Sequence, residues 1–188
     1  NYVSLLRRLR MGRTPTALVT FAGQGGVVEG VRRANGAAHG QDLREQPRFE
    51  RRYGAECFSL GDSTDAGLVR DVYKRAGAFI TLASPPCKAH STACFRGIPS
   101  EEPMITQTRD AVKATGGLYV IENVVGAKAD LRQDACLLRG AYFGEAVDRP
   151  RLFESNFKIH VDEALRVPGN RLRQGMCLGH RRRWRRLD

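Results

Sequence analysis

The chain contains, at residues 17–31, the sequence ALVTFAGQGGVVEGV. Its first part, Ala17–Phe21, is apolar and predicts a buried strand, and Val27–Ala34 has helical spacing with three valines on one side. A strand, a glycine-rich turn and a helix in succession place backbone N–H groups and a helix N-terminus beside a nucleotide-like ligand. Glycines keep such a turn clear of side chains, although glycine turns are also ordinary tight connections. The stretch therefore predicts an α/β fold with a candidate ligand-binding loop.

An acidic residue follows at the distance expected of a ribose-binding carboxylate. Ala37–Gln41 is a predicted second strand, and Asp42 lies at its end, about 20 residues beyond the glycines. A carboxylate at that position can accept hydrogen bonds from the two hydroxyl groups of a ribose. A turn residue or helix cap is an equally good interpretation of Asp42.

Cys87 lies in a stiff loop after another apolar run. Ala78–Ala83 predicts a buried strand, and Ser84-Pro85-Pro86-Cys87 follows it directly. Proline has no N–H and restricts the residue before it, so the chain must leave the sheet at the carboxyl end of this strand, where open α/β sheets bind ligands. A thiol there is a candidate nucleophile, with Lys88 and His90 nearby to favour the thiolate. The alternative is a buried structural cysteine.

Two further stretches carry polar side chains at predicted strand ends. Leu118–Val124 is an apolar strand that ends with Glu122 and Asn123. A carboxyl group partly removed from water can keep a proton at neutral pH, whereas the alternative is a helix-capping pair. Arg149 and Arg151 alternate at the start of a strand-like run, so both guanidinium groups could face one anion. The alternative is ordinary surface arginine.

Hydrophobic periodicity predicts the remaining elements. Helices are expected at residues 2–10, at 65–76 with Ser63 or Thr64 as the cap, at 105–115 before Gly116-Gly117, and, as a shorter element, at 130–139. Strands are expected at residues 56–60, 79–83 and 118–122, around Tyr142, and at 151–157. The intervening segment, residues 44–53, is interpreted as a polar loop.

In this order, the four motif-bearing stretches resemble the cytosine-5 DNA methyltransferases. The similar segments are Phe21–Gly26 for the S-adenosylmethionine loop, Pro85–Cys87 for the catalytic loop, Glu122–Val124 for the ENV motif and Arg149–Arg151 for the RxR motif. The region from Gly40 to Phe49 is similar to short phage-type members. The resemblance covers the chain from about Leu18 to Phe157. Four motifs in the same order are more specific than any one of them.

The resemblance implies an α/β, Rossmann-like three-layer S-adenosylmethionine-dependent methyltransferase fold with a mostly parallel sheet. We expect a basic N-terminal helix or arm at residues 1–16 and a methyltransferase catalytic domain at residues 17–160. We expect residues 161–188 to form a basic C-terminal segment without a complete target-recognition domain. A partner chain could then supply target recognition.

The resemblance also implies a role for each site residue. Cys87 would add to carbon 6 of cytosine, Glu122 would hold a proton at ring nitrogen 3, and Asn123 would orient Glu122 or the loop. Arg149 and Arg151 would hold the carbonyl oxygen and the phosphate. S-adenosyl-L-methionine is the implied cofactor, no metal is implied, and the implied cofactor-binding residues are Phe21, Ala22, Gly23, Gly25, Gly26, Asp42 (ribose), Asp62 (adenine amine), Ser84 and Pro85.

The implied activity is methyl transfer from S-adenosyl-L-methionine to carbon 5 of cytosine in DNA. The base would be flipped out of the duplex, because its reacting atoms are inaccessible there. RNA cytosine-5 methyltransferases use related motifs, so RNA is an alternative substrate. A truncated homologue that binds nucleic acid or a partner subunit without catalysis is the other alternative.

The charge of the chain indicates an anionic partner. The formal net charge is +11, and the basic residues concentrate at both ends, including a terminal run at residues 181–186. Phosphate contacts by these arginines and base stacking by Trp184 would suit a nucleic acid. A solvated basic tail or a localisation signal is the alternative.

The cysteine pattern indicates a reducing compartment. Five cysteines are an odd number without framework spacing, and Leu5-Leu6 is flanked by arginines rather than continued as a signal peptide. We therefore expect an intracellular protein, with nucleus and cytoplasm not distinguished, and no membrane association, because no apolar run approaches spanning length. Cys177 and His180 have the spacing of half a zinc site, but no second pair accompanies them.

Overall fold

The computed structural model of the chain describes residues 14–90, 102–143 and 149–161. The predicted N-terminal helix, Cys94, and the basic C-terminal segment with Trp184, Cys177 and His180 lie outside these ranges. Within them, no helix combines the length and the apolar content that crossing a membrane requires.

A seven-stranded sheet forms the centre of the described structure. Its strands are β1 (Thr16–Thr20), β2 (Ala37–Asp42), β3 (Phe58–Leu60), β4 (Ile80–Ala83), β5 (Leu118–Val124), β6 (Cys136–Leu138) and β7 (Arg151–Ser155). The spatial order is β3-β2-β1-β4-β5-β7-β6, with β1 to β5 parallel and β7 antiparallel to both of its neighbours. The chain order reverses between β1 and β4, so the carboxyl ends of these two strands flank the crevice where such sheets bind ligands.

In the part of the chain that the structure describes, four α-helices cover the two faces of the sheet. They are α1 (Gly26–Arg33), α2 (Pro47–Tyr53), α3 (Ala66–Arg75) and α4 (Ile105–Lys113). Consecutive residues of β1 point to opposite faces, and the core divides accordingly. Val19 packs with residues of α1 and α2, whereas Leu18 packs with residues of α3 and α4. This gives the three layers that the sequence predicted.

The prediction of a polar loop at residues 44–53 is wrong, because the second half of this segment is α2. Pro47 begins the helix, where its missing N–H costs nothing. Phe49 and Tyr53 are buried, and they are four residues apart, so they lie on one face. The helix also contains three arginines, so its overall composition is polar and does not indicate the two-residue apolar face.

Other predicted boundaries also need correction. Residues 130–139 are not a helix: a 3₁₀ turn at Val125–Ala129 precedes this segment, and β6 lies within it. Tyr142 lies in a 3₁₀ turn, not a strand, β3 begins two residues later than predicted, and β7 ends at Ser155. The cap of α3 is Asp65 and not Ser63 or Thr64, because its Oδ1 accepts hydrogen bonds from the N–H groups of Gly67 (2.8 Å) and Leu68 (3.0 Å).

A buried ion pair ties α4 to β7. Glu154 is fully buried, and Nε and Nη2 of Arg109 each lie 2.7 Å from one of its carboxylate oxygens. The backbone N–H of Arg132 donates a further hydrogen bond at 3.0 Å. Burial is the largest influence on Glu154 and favours its neutral form, but these hydrogen bonds outweigh it, so the pKa of Glu154 is lowered. The hydrogen bond with Glu154 is the main reason that the pKa of Arg109 is raised.

Candidate active site

The turn after β1 is held in an unusual backbone conformation. Phe21 has a φ of 56°, and Gly23 and Gly25 have φ values of 50° and 90°. A positive φ is costly for phenylalanine, so neighbouring strands must hold the turn in place. The N–H of Ala22 donates to the carbonyl of Gln41 at 3.0 Å, which joins the turn to β2.

The glycines of this turn serve two different purposes. A Cβ at Gly25 would lie 2.3 Å from Cε2 of Tyr53, and the Tyr53 hydroxyl donates to the carbonyl of Gly25 at 3.1 Å. Gly25 is therefore required for packing against α2, which the sequence did not indicate. A Cβ at Gly23 or at Gly26 would meet nothing within 4 Å. The space beside these two glycines is open, as an approaching ligand would need.

Asp42 braces the glycine turn from the end of β2. Its Oδ2 accepts a hydrogen bond from the N–H of Gly23 at 2.9 Å, and its Oδ1 accepts one from the N–H of Arg44 at 3.2 Å. The contact with Arg44 is that of a turn residue, while the contact with Gly23 places the carboxylate at the candidate loop. Since a carboxylate has about four acceptor positions, both predicted roles for Asp42 stay compatible with its position.

The end of β3 contributes one exposed and one buried side chain. Asp62 is exposed, and its Oδ1 accepts hydrogen bonds from the N–H and the hydroxyl of Thr64 at 2.8 Å and 2.7 Å. Ser63 is buried, and its hydroxyl accepts a hydrogen bond from the N–H of Phe21 at 3.3 Å. Sequence reasoning missed this contribution of Ser63 to the turn, because the two residues are 42 positions apart and no spacing pattern links them.

The loop carrying Cys87 is fastened to β5. Asn123 is 1% exposed, and its Nδ2 donates to the carbonyl of the buried Pro85 at 3.2 Å. A 3₁₀ turn follows, in which the N–H of His90 donates to the carbonyl of Cys87 at 3.0 Å. Cys87 is half-buried. Asn123 is therefore in position to orient the loop, which is one of the two actions predicted for it.

Glu122 and Arg151 meet across β5 and β7. Nε of Arg151 lies 2.8 Å from Oε1 of Glu122, and both side chains are partly exposed. Arg149 is exposed and precedes β7, so the strand alternation expected to align it with Arg151 does not apply. Of the two arginines, only Arg151 is shown paired with Glu122.

An open cleft of about 280 Å³ lies between these motifs. It is lined by Val27, Leu82, Ala83, Ser84, Val120, Glu122 and Phe153. The cleft thus touches the start of α1 after the glycine turn, the first residue of the Cys87 loop, and Glu122. Within residues 14–90, 102–143 and 149–161, no group of three or more His, Cys, Asp or Glu side chains could hold a metal ion.

Comparisons with known proteins identify the fold. The sequence matches no protein-family model and no curated protein. The structure is similar to the S. pombe Dnmt2 methyltransferase (18% identity, TM-score 0.56, 79% of this chain and 52% of that one). It is also similar to the Entamoeba histolytica methyltransferase EhMeth (15% identity, TM-score 0.58, 80% and 56%) and to a mutant of Spodoptera frugiperda DNMT2 (15% identity, TM-score 0.51, 76% and 49%).

The predicted fold class is therefore confirmed, and the resemblance to cytosine-5 methyltransferases holds at the level of the fold. The seven-stranded, mostly parallel sheet is that of the Rossmann-like methyltransferases. The chain spans about half the length of these solved structures. The roles of individual site residues stay predictions.

Proposed function

We propose that the chain is the catalytic part of an S-adenosyl-L-methionine-dependent methyltransferase that methylates carbon 5 of cytosine in DNA. One observation carries the proposal. The cleft is lined by Val27 just after the glycine turn, by Ser84 at the start of the Cys87 loop and by Glu122, which come from three segments that are far apart in the sequence. Such convergence at the carboxyl ends of parallel strands is typical of a site that brings two ligands together.

The glycine turn suits the cofactor. The open space at Gly23 and Gly26 leaves room for a ligand against the backbone, and the first N–H groups of α1 are unpaired within the helix. Asp42 and Asp62 lie at the ends of the next two strands, where they would bind the ribose and the adenine amine. When bound, S-adenosyl-L-methionine supplies an electrophilic methyl group.

Cys87 would supply the covalent step. Carbon 5 of cytosine is a weak nucleophile, so a thiolate must first add to carbon 6, which forms an S–C6 bond and moves an electron pair toward carbon 5. Asn123 would hold the Cys87 loop for this attack. After carbon 5 gains the methyl group, its proton passes to water, which restores the C5–C6 double bond, breaks the S–C6 bond and releases the Cys87 thiolate.

Glu122 and Arg151 would stabilise the ring during this step. Negative charge develops on the pyrimidine as the thiolate adds, and a protonated Glu122 would donate to nitrogen 3. Arg151 holds Oε1 of Glu122 in this structure, and a carboxyl group has a second oxygen that can carry the proton. The guanidinium also has further donors for the carbonyl oxygen of the base.

The proposed substrate is DNA with a flipped cytosine. Extrusion of the base costs a few kcal/mol and needs contacts along the phosphate backbone. The net charge of +11 favours such contacts. A partner chain that supplies target recognition belongs to the same proposal.

A methyl-transfer assay with separate nucleic-acid pools tests the proposal. The chain is incubated with tritiated S-adenosyl-L-methionine and with either duplex DNA or RNA, and the labelled nucleoside is identified after digestion. We expect labelled 5-methylcytosine from DNA and none with the Cys87→Ser variant. Label from RNA alone would assign the alternative substrate, and label from neither pool, together with retained nucleic-acid binding, would favour a non-catalytic protein.

A further inference from the structure

The side chain of His90 is buried beside the segment that follows β5. Its side chain is 7% exposed, and its backbone N–H donates to the carbonyl of Cys87, which links the backbones of the two residues. Within the described residues, the ring nitrogen Nε2 is buried without a hydrogen-bond partner. A buried polar atom without a hydrogen bond is destabilising, so the group nearest to this nitrogen is informative.

The carboxylate of Asp130 faces this nitrogen at 3.4 Å. That distance is longer than the ordinary range of about 2.7–3.2 Å, and hydrogen bonds around active sites are commonly long until a ligand is bound. Asp130 is itself anchored, because its backbone carbonyl accepts a hydrogen bond from Arg109, which binds the buried Glu154. The core of the protein thus holds the backbone of Asp130, whose exposed carboxylate lies opposite His90.

The same segment contacts the Cys87 loop at a second point. A Cβ at Gly126 would lie 2.2 Å from the carbonyl oxygen of His90, so only glycine allows the two backbones to pack this closely. At the other end of the loop, Asn123 binds the carbonyl of Pro85. β5 and the segment after it therefore hold the loop on both sides of the thiol.

We propose that Asp130 and His90 form a positioning pair for Cys87. When a pyrimidine enters the cleft, the contact between Nε2 and the carboxylate shortens to a hydrogen bond and fixes the turn that presents the thiol. Both are positioning residues, since they act through the loop. The inference rests on the proposed function, because the turn is proposed to position the Cys87 thiol for addition to the pyrimidine.

The test compares Asp130→Ala with Asp134→Ala. The control removes a carboxylate four residues further along, which pairs with the exposed side chain of Arg132. The rate of covalent adduct formation with a 5-fluorocytosine oligonucleotide is measured with S-adenosyl-L-methionine present. We expect Asp130→Ala to lower this rate at saturating oligonucleotide by about 10- to 100-fold, because small displacements of a reacting group are costly.

Three further measurements separate positioning from general destabilisation. Asp130→Ala should match the control in three quantities: the oligonucleotide concentration at half-saturation, the affinity for S-adenosylhomocysteine and the melting temperature. Asp130→Glu should recover part of the rate of adduct formation. An unchanged rate, an equal loss in Asp134→Ala, or a matching drop in melting temperature would overturn the positioning role.

Alkylation of Cys87 distinguishes this inference from the proposed function. The rate of its reaction with iodoacetamide, followed on the Cys87 peptide by mass spectrometry, does not require methyl transfer. We expect a several-fold rise in Asp130→Ala, because a loosened turn exposes the half-buried thiol. If the wild type forms no adduct, the proposed function fails, and the alkylation rates alone decide whether Asp130 positions the loop: a rise supports it and equal rates overturn it.

Discussion

Gly25 and Gly26 are neighbours in the turn after β1, yet the structure gives each its own reason to be glycine. Gly25 has a positive φ and packs against Tyr53, whereas Gly26 begins α1 beside open space. In a sequence motif, both positions are simply glycine residues, so the motif does not distinguish Gly25 from Gly26. Only the contacts separate the glycine that the fold needs from the glycine that a ligand would need.

We therefore expect alanine to act differently at the two positions. Gly25→Ala should lower the free energy of unfolding by about 1–3 kcal/mol, because the added methyl overlaps the Tyr53 ring. Gly26→Ala should leave stability unchanged or slightly improved and weaken the binding of S-adenosylhomocysteine in calorimetry. Undiminished affinity in Gly26→Ala would mean that this open space faces only solvent.

Glu122 is the residue whose proposed action depends most on a proton. Glu122→Gln keeps the size of the side chain but has no carboxyl proton to deliver to the ring. We expect the single-turnover rate of methyl transfer to fall by about 10²–10³-fold, as when a group that stabilises developing charge is removed. Affinity for S-adenosylhomocysteine serves as the control and should not change. A rate within the error of the wild type would exclude Glu122 as the acid.

Helix α4 and strand β7 are joined by the Arg109–Glu154 pair, which makes their docking depend on pH. The pKa of Glu154 is lowered in the folded chain from its ordinary value of 4.5. A lowered pKa contributes stability above the ordinary value, and this contribution is lost as the pH falls through the folded value. The pair should therefore be fully effective at neutral pH and lost in acid.

Glu154→Gln tests this dependence. We expect the variant to be less stable than the wild type by about 1–3 kcal/mol at pH 7, because a charged hydrogen-bond acceptor is removed from the core. The difference should begin to shrink as the pH falls below about 4.5, where the unfolded carboxylate takes up a proton, and should keep shrinking until the pH passes the lowered pKa of the folded chain. Urea denaturation over this range measures it. A difference that stays constant with pH would show that ionisation of Glu154 does not contribute.

The elements differ in how far the sequence alone predicts them. The sequence predicts β1 and β4 to within one or two residues, because continuous apolar runs bounded by glycine or proline mark buried strands. α2 was missed because its charged residues outnumber the two that face the core. The pairing of Arg109 with Glu154, 45 residues apart, could not be predicted, since long-range polar contacts leave no periodic signal.

The candidate site divides in the same way. The motifs placed Cys87, Glu122 and Asp42 correctly at the ends of strands or in the loops that follow them, because strand ends can be read from sequence. The contacts that hold them were not predicted: Ser63 with Phe21, Gly25 with Tyr53, and Asp130 with His90. Each of these depends on how separate segments pack together.

For the whole molecule, the distribution of charge predicts how nucleic acid is bound. The arginine run at residues 181–186 lies outside the described structure, and its expected action follows from charge alone. Deletion of this run should reduce the slope of log affinity against log salt by several units and leave cofactor affinity unchanged, since each neutralised phosphate adds about 0.9 to the slope. Equal slopes in salt titrations of the two chains would identify a solvated tail.

Covalent trapping tests the central claim most directly. A duplex with 5-fluorocytosine retains its fluorine after methyl transfer, so the final elimination is blocked and the S–C6 bond persists. We expect a denaturation-resistant complex with the wild-type chain in the presence of S-adenosyl-L-methionine, with the cross-linked peptide containing Cys87, and none with Cys87→Ser. A Cys87→Ser chain that still forms the complex, or a wild-type complex linked through another residue, would contradict the account.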